Sequence, residues 1–375
     1  MESKRSTEKS GILVCPSDGQ SLEYATRKEA ENEIGRKLTP LRKWNVESGE
    51  GKPIGATDRI LVREDWEVAY PVVKGHPCLL FPEALTEEGK TMSIDLEDPK
   101  YEEAYEEMSF YNEVGFDRAE RIEETDIYDI VAPAIGASEE EKRSFPDPKE
   151  IWIDAVYDCA AQWDSFQHLS PVEGKRLMQL GGSGTHAVKF LLAGASECWV
   201  VTPMLGEAEC AQALAESAGV EEGLHCVVSV AEELPFRGNT FDGIYSGGSL
   251  HHMRTDQAVP EIVRILAPEG KFAAADPYRT PVYALGTALF GKRETDVYCR
   301  PMTENRIAPI RKYFSQSEVI HHGTLTRYPL LALSKFGIES SLSFAWNANK
   351  VDDLVSSVVP GSERWGSSVC MLGVK

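Results

Sequence analysis

The chain predicts an α/β fold: an open, mostly parallel sheet covered on both faces, with a small N-terminal β-rich module and a helical acidic segment before it. Three observations predict it. From about Lys175, short apolar runs alternate with helical patterns, the rhythm of right-handed βαβ units. Residues 11 to 85 are instead rich in strand formers broken by Pro and Gly turns. Residues 86 to 150 join helical spacing to an excess of acid.

The elements follow in order. "GILVCPSDGQSLE" reads as a short strand, a turn and polar residues, and "DRILVREDWEVAYPVVKGHPCLLFPEAL" as three strands separated by turns. In "YEEAYEEMSFYNEVG", Tyr101, Ala104, Tyr105, Met108 and Tyr111 recur at helical spacing. This helix either docks on the main domain or acts as a lid whose aromatics close over a ligand. "ASEEEKRSFPDPKE" reads as a connector. "KRLMQL", "ECWVVT", "LHCVVSV", "FDGIYSGG" and "KFAAADPY" are the strands of the sheet. "HAVKFLLAGA", "GEAECAQALAESAG" and "AVPEIVRILAPEG" are helices between them. The expected units are therefore 1–86, 87–150 and 151–375, with an insert at about 277–330.

The 375 residues have a formal net charge of -21. A surface so acidic repels phosphate backbones and anionic headgroups, so nucleic acid is not an expected partner. No apolar run approaches the ~20 residues of a membrane span, and no signal peptide is visible. The eight cysteines are scattered without a CxxC pair, which fits a reducing cytoplasm. Metal-ligand spacing is missing, so no metal is expected. A homodimer is compatible with this reading.

Ligands of such sheets bind beyond the carboxyl ends of the strands. The loop after the first strand, Gln179 to His186, holds Gly181, Gly182 and Gly184, which permit φ > 0 and close approach to a ligand. Farther on come Ala231-Glu232-Glu233-Leu234-Pro235-Phe236, then Phe241-Asp242, then Leu250-His251-His252-Met253. In order and spacing these motifs resemble the class I S-adenosylmethionine-dependent methyltransferases, in the branch with "AE-x-LPF", "FD" and "LHH". "RILAPEGKFAAADP" resembles the segment leading into that family's fifth strand. The resemblance covers about 165 to 280 and implies a Rossmann-like sheet, S-adenosyl-L-methionine as cofactor and a small-molecule methyl acceptor.

Carried over residue by residue, the resemblance places Gln179, Gly181, Gly182 and Gly184 beside the methionine part of the cofactor. Thr202 falls where an acid usually binds the ribose hydroxyls, Ala231 and Glu232 at the adenine edge, and Gly247 and Gly248 near the reactive methyl. Gln179, Thr202 and Val230 each stand where the family usually has an acid. Glu207 or Glu209 is expected to compensate. "LVCPSDGQSLE" and "AYPVVKGHPCLLFPEAL" resemble the zinc-ribbon-like activators of RNA and release-factor methyltransferases. Asp18 replaces the partner of Cys15, which implies a zinc-free module.

His251 and His252 are candidates for a general base or for orienting the acceptor. The insert is basic and aromatic for so acidic a chain. Tyr278, Arg279, Arg300 and Arg327, with Tyr105 and Tyr111, are the candidate acceptor residues, the arginines as clamps for an acceptor carboxylate. The expected activity is methyl transfer to a small, carboxylate-bearing metabolite. An RNA or protein methyltransferase and a non-catalytic cofactor-binding scaffold are the alternatives.

Overall fold

A computed structural model describes residues 9–41, 58–87, 98–122, 127–131, 152–280, 283, 288, 299–338, 340–359 and 361–375. The N-terminal module contains β1 (Lys9–Val14), β2 (Ser21–Thr26), α1 (Arg27–Ile34), β3 (Leu38–Pro40), β4 (Arg59–Arg63), β5 (Val68–Val73), β6 (His76–Pro77) and β7 (Leu85–Glu87). The strands form an antiparallel sheet in the order β1-β2-β4-β5-β7-β3, with β6 on β5. The stretch "SLEYAT", which looks merely polar, is a strand because β4 pairs with it residue for residue. Helix α1 starts in a reciprocal capping box between Thr26 and Glu29. In the module, Cys15 contacts Tyr70 and Ser17, and Asp18 pairs with Arg63.

The module is joined to the rest of the chain through backbone. Cys78 bridges Val228, Leu13 bridges Phe236, and Leu79 N–H donates to the Val228 carbonyl at 2.8 Å. It thereby covers a sheet edge that would otherwise offer unpaired groups. Helix α2 (Pro99–Ile122) follows, then α3 (Ile127–Val131). Tyr101, Ala104, Tyr105 and Met108 are buried, so α2 is docked through the face its periodicity marks. The connector expected at 137–150 lies outside the described residues.

The main sheet begins after α4 (Cys159–Leu169) with β8 (Arg176–Leu180), α5 (Thr185–Leu192), β9 (Glu197–Thr202), α6 (Leu205–Ala218), β10 (Leu224–Val228), β11 (Phe241–Gly247), α7 (Thr255–Ile265) and β12 (Leu266–Pro277). It continues with α8 (Glu304–Tyr313), β13 (Gln316–His322), α9 (Arg327–Lys335), α10 (Leu342–Val358) and β14 (Ser368–Val374). The order is β10-β9-β8-β11-β12-β14-β13. The strands from β10 to β12 are parallel, and β14 runs antiparallel to both its neighbours. This is the Rossmann-like arrangement the sequence predicts. The strand order reverses between β8 and β11, which opens a crevice at their carboxyl ends.

The stretch 277–330 is more than an insert. Most of 281–298 lies outside the described residues, but β13 is the outer strand of the main sheet, paired with β14 from Gln316 to His322. Its residues are exposed or only partly buried, so it lacks the continuous apolar run by which the inner strands announce themselves.

Candidate functional site

The strand ends and α2 enclose a cavity of about 250 Å³. Gly181 and Gly182 form its floor, Thr202 and Glu207 one side, Ala231 and Glu232 another, and Gly247 to Ser249 a third. Glu103, Glu107 and Tyr111 of α2 form the facing wall. The docked helix therefore also forms one wall of this cavity.

The glycine turn is positioned by the sheet beneath it. Gly181, Gly182 and Gly184 have φ of 78, 77 and 85°, so all three need the left-handed region. Their surroundings differ. A Cβ on Gly181 would lie 2.5 Å from Ser249 Cβ, and one on Gly184 2.3 Å from Ala211 Cβ. A Cβ on Gly182 would meet only the Gln179 amide, at 3.1 Å. Gly182 is thus the glycine with open space on its cavity side. Gln179 is buried beneath the turn, donating to the Gly181 carbonyl at 2.9 Å and accepting from Ala187 N–H at 2.8 Å. An acid cannot donate when ionised, so glutamine makes a two-ended brace that a carboxylate would leave half-made.

At the end of β9, the buried Thr202 hydroxyl donates to Glu207 at 2.5 Å and accepts from Met204 N–H at 3.2 Å. Burial raises the Glu207 pKa, against the opposing hydrogen bond from Thr202. Glu209 faces away, pairing with His76 of the module at 2.9 Å. Of the two acids expected to compensate, Glu207 is the one at the cavity. At the end of β10, Glu232 accepts from Arg254 N–H at 2.6 Å, and its neighbour Glu233 accepts from Lys100 and Tyr101 of α2.

Burial raises the Glu232 pKa to about 7, and this has a sign in stability. Between its ordinary 4.5 and about 7 the folded state binds the extra proton, so stability falls as pH rises through that window. The loss is on the order of 2 kcal/mol, below the full shift because part of the residue reaches solvent. Glu232→Gln should flatten the decline between pH 5 and 8 in denaturant titrations. An unchanged pH slope would show that Glu232 titrates normally.

The histidine pair sits on the turn after β11. His251 Nδ1 lies 2.7 Å from Asp276 Oδ1, and His252 Nδ1 lies 2.7 Å from Glu107 Oε1. Burial lowers the His251 pKa against the pull of Asp276. His252 lines the cavity beside Tyr111, their rings edge to face. A second cavity of about 340 Å³ adjoins the first, sharing Gly182, Glu207, Gly247 and Gly248. Arg118, Asp154, Asp158 and Asp276 give its wall both signs of charge. Asp276 Oδ2 and the Tyr245 hydroxyl are buried there without a hydrogen-bond partner among the described residues.

The candidate acceptor residues are dispersed. Tyr111 lines the first cavity. Tyr105 is buried and donates to Glu83 of the module at 2.7 Å, so it fastens α2 rather than facing a ligand. Tyr278 bonds Glu304, and Arg279 N–H joins the Met302 carbonyl. Arg327 grips Asp158 through two bonds, 2.6 and 3.1 Å. Arg300 pairs with Glu103 at the cavity rim and stays 39% exposed. Sequence reasoning missed Glu103, Glu107 and Arg118, which look like the solvated face of an acidic helix. Only the crossing of α2 over the strand ends gives them a role.

Residues 179–274 match a family model described as a methyltransferase domain. O-methyltransferase rstn1 of Aspergillus nomiae is 33% identical over 112 residues, 29% of this chain and 50% of that protein. The ubiquinone/menaquinone biosynthesis C-methyltransferase UbiE of Ruegeria sp. is 35% identical over 138 residues, 35% of this chain and 50% of that protein. The chain thus spans about half the length of these curated relatives. The solved geranyl diphosphate C-methyltransferase of Streptomyces coelicolor A3(2) is 16% identical, with coverage of 64% of this chain and 86% of that one and a TM-score of 0.43.

Proposed function

Residues 179–274 are a methyltransferase domain of the class I type, and from that premise we propose that the protein transfers a methyl group from S-adenosylmethionine to a small, carboxylate-bearing acceptor. The cofactor supplies a methyl group activated on a sulfonium. The observation that supports the reading is the pair of cavities meeting at Gly182, Gly247 and Gly248. The first is bordered by a hydroxyl-acid pair and a largely apolar slot, which suits the adenosine half. The second, with Arg118 facing Asp154 and Asp276, suits a zwitterionic amino-acid end.

Glu207 is the group we assign to the ribose hydroxyls, with Thr202 holding its carboxyl in place. Hydrogen bonds to a charged acceptor contribute about 1.5–3 kcal/mol each. Glu207→Ala should therefore weaken cofactor binding about 10–100-fold with the fold intact. Because the raised pKa falls when two hydroxyls donate to the carboxylate, binding should release protons and tighten as pH rises through it. Calorimetry in buffers of different ionisation enthalpy reads both effects. Unchanged affinity in Glu207→Ala would remove the acid from the site.

The acceptor approaches between Tyr111 on α2 and the segment from Gly247 to His252. Arg300 is the arginine we assign to its carboxylate, because it stands at this rim and can turn from Glu103, whereas Arg327 is committed to Asp158. His252, held by Glu107, orients the acceptor. The remaining rate comes from positioning in a site screened by α2. The test is incubation of a metabolite extract with methyl-labelled cofactor, followed by identification of the labelled product. A labelled small acid supports the reading. Cofactor binding without any labelled product would overturn it in favour of a non-catalytic role.

A further inference from the structure

We propose that His251, His252 and Cys299 bind one divalent ion of the zinc class at the rim of the first cavity. One ring nitrogen of each histidine and the Cys299 sulfur lie within 4.8 Å of one another. Tetrahedral nitrogen and sulfur ligands around zinc stand about 3.3–3.6 Å apart, so an inward movement of about 1 Å completes the set. Cys299 follows the adjacent histidines by 48 and 47 positions in sequence, and no spacing motif announces the set. The fold brings them together at the end of β11.

The surroundings are those of a built metal site. Histidine ligands are oriented by a carboxylate on the ring nitrogen away from the metal. Here both rings have one: Asp276 on His251 Nδ1 and Glu107 on His252 Nδ1, each at 2.7 Å. Those contacts leave Nε2 of each ring as the ligand nitrogen. Both carboxylates are buried, and each has an imidazole as its hydrogen-bond partner. The backbone is stapled as well. Arg300 N–H donates to the His251 carbonyl at 3.1 Å, which fixes Cys299 beside the histidines. The Arg306 guanidinium bonds the carbonyls of His251 and Met253, at 3.1 and 2.6 Å.

The donor set selects the ion. Two imidazoles and a thiolate suit zinc or cobalt over magnesium or calcium, which prefer oxygen. Three protein ligands leave the fourth position to water or to a heteroatom of a bound ligand. Since His252 also lines the cavity, that position is supplied from the cavity side. Binding takes the thiol proton to solvent as the sulfur becomes a ligand.

The experiment uses the full chain, stripped with chelator and titrated with Co²⁺, then with Zn²⁺ in competition. The result expected is one equivalent of Co²⁺ with intense tetrahedral absorption in the visible and a sulfur-to-cobalt band in the near ultraviolet. Cys299→Ser should abolish the near-ultraviolet band and weaken binding at least 100-fold. Glu107→Gln, which touches no metal, should weaken it about 10–100-fold. Unchanged thermal unfolding of the metal-free variants establishes that they fold. No stoichiometric binding, or the same sulfur band in Cys299→Ser, would overturn the proposal. These readouts need neither cofactor nor methyl transfer, so the site and the proposed activity fail or stand separately.

Discussion

Asp154→Asn should lower folding stability by about 3–5 kcal/mol, because it strands a buried ammonium. Lys189, on α5 beneath the glycine turn, has no exposed side-chain surface and lies 3.2 Å from Asp154. Its other partner is the Trp152 carbonyl at 2.5 Å. Burial lowers the lysine pKa, and Asp154 offsets part of that cost. Against its own burial, Lys189 and His186 hold the Asp154 carboxyl below its ordinary range. Once the carboxylate is neutral, the full desolvation of the ammonium is felt.

The sign with pH follows. A lysine depressed further in the fold binds fewer protons than in the unfolded chain, so the variant should recover stability as pH rises towards the unfolded value near 10.4. The reverse substitution should be milder. Lys189→Met leaves Asp154, whose side chain is 29% exposed and can be hydrated. The double variant should regain most of the loss. Guanidinium titrations of the three proteins check this. Equal losses in both single variants would mean that the pair is not buried on one side only.

Gly206→Val should cost about 3 kcal/mol and undock α2. Helices α2 and α6 cross at Gly115 and Gly206. A Cβ on Gly206 would lie 2.2 Å from the Asn112 carbonyl oxygen, and one on Gly115 would lie 2.3 Å from Gly206 C. Backbone atoms cannot swing aside, so the helices must separate, which places the cost at the upper end of overpacking. Separation also breaks the bond from Gly206 N–H to Asn112 Oδ1, 3.0 Å, which caps α6 from its neighbour. Because α2 supplies Glu103, Glu107 and Tyr111 to the cavity, cofactor affinity should fall although no cavity side chain has changed. Thermal unfolding and limited proteolysis within 99–122 read the two effects. Wild-type melting with wild-type protection of α2 would contradict so close a crossing.

How far the sequence reveals this molecule depends on how local each signal is. The strands from β8 to β12 are legible because a parallel strand buried on both faces must be apolar throughout. The glycine turn is legible because no other residue accepts three positive φ values within four positions. The function of Gln179 is not, since its two partners, Gly181 and Ala187, become its neighbours only when the turn closes. Thr202 looks like a lost acid until Glu207, in the first turn of α6, is seen to bond its hydroxyl at the cavity. The arginines 300 and 327 look like free clamps until Glu103 and Asp158 arrive from elements about 200 and 170 residues earlier. The edge strand β13 is obscured for the opposite reason, because an exposed edge does not demand an apolar run.

The proposed activity requires that the cavity over Gly182 hold the cofactor. Titration calorimetry of the full chain with S-adenosylmethionine and S-adenosylhomocysteine tests it most directly. The expected result is one equivalent of each bound, with both affinities reduced about 10–100-fold in Glu207→Ala. Absence of heat and of competition with either ligand, in protein shown to be folded by thermal unfolding, would contradict it.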